Sequence, residues 1–338
     1  MTGTSLSAQG RPLRIGLIGA GNIARQHLLA MARVEGMQAV GVASRTKARA
    51  ETLAGEFGVP LVADDPADLV RRAAPDALMV LVSVQSMAEV AVACMDFGLP
   101  LFLEKPVGLD AEEAERVAQE AKRRGARAMV GFNRRHYSVF RKGAELIRAA
   151  GGLLAVQVEG NERMAFVRGL DRFPEAVLRG WLYANATHTI DLLRHFGGEP
   201  EEVHALCASL KEPAGDQFAA CLRFSGGALG TYVGNWQSPG GWAVTLKAPG
   251  LTVEYRPLEA GRATWADGRT EDILPDEEEQ GVKPGFVGQL RAFVGLIRTG
   301  GLAAPSQDLD GALKTMRLAA RLAQAPVRSE AASGPSPC

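Results

Sequence analysis

Charge of one sign is what this 338-residue sequence lacks most plainly, because 38 Lys and Arg residues offset 38 Asp and Glu. No global field gathers nucleic acid or an anionic membrane around such a chain, so an anionic ligand has to be held locally. Cysteine is scarce as well. The four residues Cys94, Cys207, Cys221 and Cys338 stand far apart without a C-x-x-C pair, which excludes a disulfide framework. They read as reduced thiols of a cytoplasmic protein, three of them filling the core. Long hydrophobic runs are missing too: Ala77 to Val84 is the longest, far short of the ~20 residues that cross a bilayer. Met1 to Gly10 is polar and small, without the basic and apolar regions of a secretory signal.

What is present is an ordinary globular composition, 46% hydrophobic and 22% charged. Single cores stop growing near ~250–300 residues, so the length implies two domains. Leu13–Ile18 is a short apolar run closed by glycines, after which Ile23, His27, Leu28 and Met31 recur at helical spacing. Strand and helix patterns then alternate. The strands are Gln38–Ala43, Pro60–Val62, Ala77–Val84, Pro100–Leu103 and Ala128–Val130; the helices are Arg45–Phe57, Pro66–Ala73, Ala88–Phe97 and Asp110–Arg124. That alternation predicts an α/β domain with a doubly wound parallel sheet over residues 11–131.

After Gly131 strand-like runs follow one another: Leu153–Glu159, Gln217–Phe224, Ala228–Val233 and Trp242–Lys247. One helix, Ala186–Phe196, precedes the second of them, and the helices Phe286–Arg298 and Asp308–Ala323 close the chain. The expectation is an α+β domain over 132–325 with a largely antiparallel open sheet, its final helices free to pack back on the first domain. Asp276–Lys283 reads as a surface loop, and 1–10 and 326–338 as flexible tails.

Gly19-Ala20-Gly21-Asn22-Ile23-Ala24 is a G-x-G-x-x-A between a strand and a helix, the placement that makes this pattern a dinucleotide-binding fingerprint. Gly19 permits the tight turn, Gly21 removes a side chain from the path of the pyrophosphate, and Ala24 allows close helix–strand packing. The first helical N–H groups, at Asn22 and Ile23, are offered to phosphate. The first sheet is thus a Rossmann fold. At the end of the second strand stand Ser44 and Arg45, where an NAD-specific site usually carries an acid. Arg45, with Lys47 nearby, matches a 2′-phosphate by charge and planar geometry, so NADP is favoured over NAD. The alternative, Ser44 capping the next helix and Arg45 solvated, stays open.

Glu104-Lys105-Pro106 follows the fifth strand, at the carboxyl edge where such sheets place ligands. Downstream come Gly131-Phe132-Asn133-Arg134-Arg135 and Thr187-His188-Thr189-Ile190-Asp191-Leu192-Leu193-Arg194, before Gly197-Gly198-Glu199-Pro200. Together with the fingerprint, and over nearly the whole chain, these resemble the Gfo/Idh/MocA oxidoreductases. The resemblance implies hydride transfer between nicotinamide and a carbinol or carbonyl of a sugar, inositol or related polyol. It puts the nicotinamide near Val82, Ser83 and Gln85, with Glu104, Lys105 and Asn133 beside it, and assigns catalysis to Lys105 and His188. Independently, carbinol oxidation needs proton removal, which suits an imidazole titrating near neutrality, while an ammonium stabilises the developing alkoxide.

The sequence departs from the family at two places. Ala184 stands where the family usually has an Asp four residues before the His, leaving Asp191, Tyr183 or Asn185 to orient His188; Val82-Ser83-Val84 with Met87 replaces a T-P-N loop with its His. Two other readings stay open: an NAD-dependent glycosidase without net redox, and a dinucleotide-sensing regulator. Lys105 as a plain strand-end lysine and His188 as a structural histidine are the bland alternatives. No metal is expected, since His188, Asp191 and His195 have helical spacing but no cysteine joins them. His27 is expected to pack on the first helix. Arg134 and Arg135 shape the entrance or pair with acids; Trp181, Tyr183, Trp236 and Trp242 line a cleft or, more often for such aromatics, a core. One apolar face of the second sheet is expected to join a homodimer or homotetramer.

Overall fold

A computed structural model describes residues 11–323 and the backbone of Val327 and Arg328. The first layer runs β1 (Leu13–Ile18), α1 (Asn22–Met31), β2 (Met37–Ala43), α2 (Lys47–Phe57), β3 (Val62–Ala63), α3 (Pro66–Ala73), β4 (Ala77–Val80), α4 (Val84–Met95), β5 (Leu101–Glu104), α5 (Ala111–Arg124) and β6 (Ala128–Gly131). Its six strands are parallel in the order β3-β2-β1-β4-β5-β6. The strand order reverses between β1 and β4, so a crevice opens there at the carboxyl ends. All four residues of β4 and of β5 are buried, as a strand covered on both faces requires.

Local chemistry fixes the helix ends. Asp110 caps α5 by accepting from the Glu113 N–H at 2.9 Å, and Lys122, Arg123 and Arg124 sit in its last turn, against the helix dipole's negative end. Asp65 caps α3 in the same way, with Pro66 at its first position. The expected strand Ala77–Val84 is shorter than its apolar run. It ends at Val80, and α4 begins at Val84, four residues before the expected start. Apolar Leu81, Val82 and Val84 carry the hydrophobic run across the turn, with only Ser83 interrupting it, and so hide it. Val84 and Gln85 are therefore helical rather than loop residues.

The second unit comprises α6 (Ser138–Ala149), β7 (Ala155–Gly160), α7 (Met164–Gly169), α8 (Glu175–Arg179), α9 (Thr187–Gly197), β8 (Pro200–Ser209), β9 (Gln217–Phe224), β10 (Leu229–Asn235), β11 (Trp242–Ala248), β12 (Leu251–Tyr255), β13 (Gly261–Trp265), β14 (Thr270–Ile273), α10 (Phe286–Thr299), α11 (Leu309–Leu322) and β15 (Val327–Arg328). Its sheet order is β14-β13-β12-β11-β7-β10-β9-β8-β15, with β7–β10 and β8–β15 parallel and the rest antiparallel. The largely antiparallel expectation holds. Four strands (β8, β12, β13 and β14) and helices α6 to α8 escape the pattern, so α9 is not the lone helix ahead of β9. Charged outer faces break their periodicity: β8 carries Glu201, Glu202 and His204, all exposed.

One face of this sheet packs on α6 and α9. Phe140, Ile190 and Leu193 meet Val156, Val158, Tyr232, Leu246 and Val253, all nearly inaccessible. Burial of a side chain like Phe140 stabilises by roughly 1.5–3 kcal/mol. At Gly143 of α6 a Cβ would stand 1.7 Å from Tyr255 Oη, so helix and strand approach only because that side chain is missing. The final helices do return to the first sheet. Phe286, Leu290 and Phe293 of α10 join the core with Ile15, Leu17 and Phe102, and Leu309, Ala312 and Met316 of α11 join that of Val117 and Ala121.

Three further expectations change. Asp276–Lys283 is not a plain surface loop: Glu279 within it is buried, accepting from Ser138 Oγ at 2.9 Å and the Gly285 N–H at 3.2 Å. Cys94 and Cys207 are buried, but Cys221 is exposed on the sheet's outer face, and Cys338 lies outside the described residues. The expected tails 1–10 and 326–338 also lie outside them, except that Val327–Arg328 pair with β8.

Candidate active site

Gly19 ends β1 with φ +113°, and a Cβ there would meet the Leu81 carbonyl oxygen at 2.5 Å. Only glycine lets the β1 turn pass this close to the turn after β4. Gly21 has nothing within 4 Å of its missing Cβ, so the start of α1 is open. A recess of about 320 Å³ adjoins it, lined by Ala20, Gly21, Asn22, Arg25, Arg49 and Thr52 among others. Free helical N–H groups, a glycine cradle and an empty recess fit a dinucleotide. Ser44 is half-buried and accepts from the Thr46 N–H at 3.3 Å; Arg45 is exposed, and α2 starts two residues later. Ser83 and Gln85 are exposed and Val82 half-buried at the β4 edge, facing the same crevice mouth as Gly19.

Lys105 leaves β5 with its Nζ donating to the Ala184 carbonyl at 2.8 Å. That contact joins the sheet edge to the second unit. Ala184 lies in a π-type turn, Leu182–Ala186, running directly into α9; such widened turns are frequent at functional sites. Glu104, one residue earlier, is held inside: its Oε1 lies 2.7 Å from His27 Nε2, and His27 packs in α1 against Phe102 and Phe286.

His188, in the first turn of α9, is buried with Nδ1 unpartnered, edge-on to Phe132 at 6.3 Å and 6.1 Å from the Trp242 ring. Trp242 carries the Arg134 guanidinium over its face at 4.5 Å. Asn133, buried, bridges the two units by donating to the Pro284 carbonyl at 2.9 Å, and its Oδ1 accepts from Arg134 at 3.3 Å. Lys283, next to Pro284, stands 5.0 Å from the Phe286 ring.

Electrostatics invert the expected titration. Burial, then the Arg134 charge, pushes Lys105 down to about 7, with Glu104 opposing and Lys283 adding. Burial together with Arg134, Lys105 and Lys283 drives His188 well below the usual imidazole value. Lys105, not His188, is the group that titrates near neutrality.

None of the three side chains proposed to orient His188 hydrogen-bonds it. Asp191 accepts instead from Arg135 at 2.6 and 2.9 Å, from Gln307 at 2.9 Å and from Thr315 at 2.8 Å. Tyr183 gives its carbonyl to Thr187, and Asn185 donates to Glu162 Oε1 at 2.7 Å. His195 is half-buried beside Phe140 and Phe196, and no cluster of three His, Cys, Asp or Glu among the described residues has metal-site geometry. Trp181 and Trp236 are core residues, while Tyr183 and Trp242 are half-buried. Arg135 pairs with an acid; Arg134 pairs with none among the described residues.

Two residues here escaped the sequence. Glu162, buried just past β7, has its carboxyl raised by burial against the Asn185 hydrogen bond and the Lys105 charge. Lys283 sits in a segment that looked like loop. An acid following a strand of alternating burial and a lysine before a helix carry no local signal; only the tertiary fold brings them to Lys105.

A Rossmann sheet with this crevice, joined to a lysine and a histidine from two units, defines a dinucleotide-dependent oxidoreductase. The chain belongs to the Gfo/Idh/MocA family: residues 13–132 match its oxidoreductase model with an NAD-binding Rossmann fold, and residues 144–253 its C-terminal domain. It is 27% identical over 336 residues to inositol 2-dehydrogenase of Rhizobium meliloti, covering 94% of this chain and 97% of that one. It is 28% identical over 200 residues to 4-carboxy-2-hydroxymuconate-6-semialdehyde dehydrogenase of a Sphingobium strain, covering 57% of this chain and 62% of that protein. The fold is that of a dehydrogenase from Chromobacterium violaceum, with TM-score 0.78 at 22% identity over 94% of this chain and 96% of that one. Among the described residues no helix is long and apolar enough to cross a membrane.

Proposed function

We propose that the chain moves a hydride between NADP or NAD, with NADP favoured, and a carbinol or carbonyl of a sugar, inositol or related polyol. The observation that carries this is the Lys105–Ala184 hydrogen bond, which sets an amine of the sheet edge against the turn leading to His188. Relatives named as inositol dehydrogenases support the substrate class. Gly19, Gly21, Asn22 and Ile23 would hold the pyrophosphate, Ser44 and Arg45 the ribose end, and Val82, Ser83, Gln85 and Asn133 the nicotinamide end. When bound, that cofactor supplies the hydride acceptor or donor.

Lys105 exchanges its Ala184 contact for the substrate oxygen. With its pKa near 7, a large fraction is neutral amine at physiological pH and takes the O–H proton during oxidation. The ammonium so formed then donates to the product carbonyl oxygen. His188, kept neutral by burial and then by its cationic surroundings, passes the proton on without retaining it. Glu104 stays behind Lys105 on His27 and adds negative potential beneath it. In the reverse direction each transfer runs backwards.

We further propose unit boundaries at 131/132, a reducing compartment such as the cytoplasm, where buried Cys94 and Cys207 persist as thiols, and assembly as a homodimer or homotetramer. Leu206, Ala219 and Val233 are cross-strand neighbours on the sheet's outer face, and Leu206 is 78% exposed. Such an apolar row is a natural contact between copies. Hydride transfer is tested by following reduced cofactor at 340 nm across a panel of inositols, aldoses and sugar acids. If no panel member changes the cofactor's redox state with either NAD+ or NADP+, or in reverse, the proposal fails.

A further inference from the structure

Arg134 and Lys283, with Lys105 beside them, face His188 without forming an ion pair among the described residues. Among the described residues, Lys105, Arg134 and Lys283 take part in none of the salt bridges that engage most other arginines. Their placement is contiguous. Lys283 precedes Pro284, whose carbonyl holds Asn133; Asn133 holds Arg134; Arg134 lies over Trp242; and Trp242 borders His188. Arg134 Nε is buried and unpartnered.

Three carboxylates stand within electrostatic reach, and each is engaged elsewhere. Glu104 is held by His27 at 2.7 Å, Glu162 by Asn185 at 2.7 Å, and Glu259 accepts from Tyr137 Oη at 3.5 Å. Burial also raises Glu162, which reduces the negative charge it brings. All three cationic side chains are half-buried, and among the described residues Lys105 and Arg134 donate only to neutral oxygens; partly desolvating cations without a counter-charge is costly, and an anionic ligand would offset that cost. The cofactor pyrophosphate belongs to the β1 turn. Lys105 and Arg134 follow β5 and β6, two and three strands away, about 10–14 Å at ordinary strand spacing.

We infer that Arg134 and Lys283 form an anion clamp beside Lys105 and His188, so that the substrate is a hydroxy compound carrying a carboxylate or phosphate rather than a neutral polyol. The inference rests on the hydride-transfer reading for the position of the reacting carbon and narrows its substrate class. Arg134 presents a planar fork suited to two oxygens of one anionic group, and its stacking on Trp242 fixes the plane. Lys283 adds a point charge on the other side of Asn133. A neutral sugar would leave both unanswered.

The test uses the chain saturated with NADP+, titrated with D-glucuronate, glucose 6-phosphate and D-glucose while tryptophan fluorescence is read. Charge-assisted contacts predict that at least one anion binds roughly tenfold or more tightly than glucose. Tighter glucuronate assigns a carboxylate, tighter glucose 6-phosphate a phosphate. Arg134→Met and Lys283→Met should each shrink that preference at least about threefold with NADP+ affinity retained, and Arg134→Lys should keep part of it. Equal binding of glucose and both anions, no binding by either anion, or an unchanged preference in both Met variants overturns the clamp. Anion preference without NADPH formation would count against hydride transfer and leave the clamp standing; equal turnover of neutral and anionic members would do the reverse.

Discussion

Replacing Asp191 by Asn keeps its shape and removes its charge from a site only 1% exposed. Four donors converge on that carboxylate: two from Arg135, one each from Gln307 and Thr315, with Arg194 a further 3.7 Å away. The substitution leaves two buried guanidinium groups facing a neutral amide, the situation that costs about 3–5 kcal/mol. For a chain of this size that lowers Tm by about 4–7 °C. The pH dependence has a definite sign. Burial alone would raise Asp191, but Arg135, Arg194 and Thr315 outweigh it, so its folded value lies below the ordinary 3.8. Its stabilisation is complete above that value and is lost as pH falls through the folded one, so the wild-type advantage should hold at pH 5–8 and fade below about pH 4. Differential scanning calorimetry of both proteins across that range measures it. A Tm change under about 2 °C at pH 7 would refute this stabilising role of the Asp191 charge, and a shifted pH–rate profile in Asp191→Asn would return Asp191 to His188.

Arg45→Asp should reverse the preference from NADP+ to NAD+ in paired titrations, and tenfold tighter NAD+ binding by the wild type would sink that reading. Lys105→Met should leave cofactor affinity intact, slow turnover by about 10²–10⁴, and abolish a limb near pH 7 below which oxidation falls off. His188→Asn should slow turnover on the same scale while leaving that limb in place; near-full turnover in either variant removes its residue from the proton path. Leu206→Glu should lower the mass seen by light scattering to that of the monomer without unfolding it, and an unaltered mass would show that the outer face is not the contact.

Much of this fold is legible because its signals are local. Gly19 and Gly21, the helix from Asp110 to Arg124, and the apolar runs of β4 and of Leu101–Leu103 in β5 declare themselves within a few residues. Lys105 and His188 were visible as residue types in a spacing, and the structure brings their two elements together through Ala184. What was not legible depends on distant neighbours. The value near 7 at Lys105 comes from burial and from Arg134 and Lys283, 29 and 178 positions away in sequence. Asp191 has the right spacing to serve His188, but Arg135 offers it two charge-assisted bonds and wins. The β4–α4 turn was hidden because apolar Leu81, Val82 and Val84 carry the run of β4 across it, so that only Ser83 marks the break.

The return of α10 and α11 to the first sheet has a consequence for how the chain comes off the ribosome. Residues 11–131 contain every strand of that sheet, yet Phe286, Leu290 and Phe293 cover one side of it and Leu309, Ala312 and Met316 part of the other. Synthesis at ~5–20 residues per second leaves these apolar surfaces open for on the order of ten seconds after β6 emerges. During that interval the second sheet is being made. The first unit thus completes its core only when α10 and α11 emerge, and those two helices act as its latch.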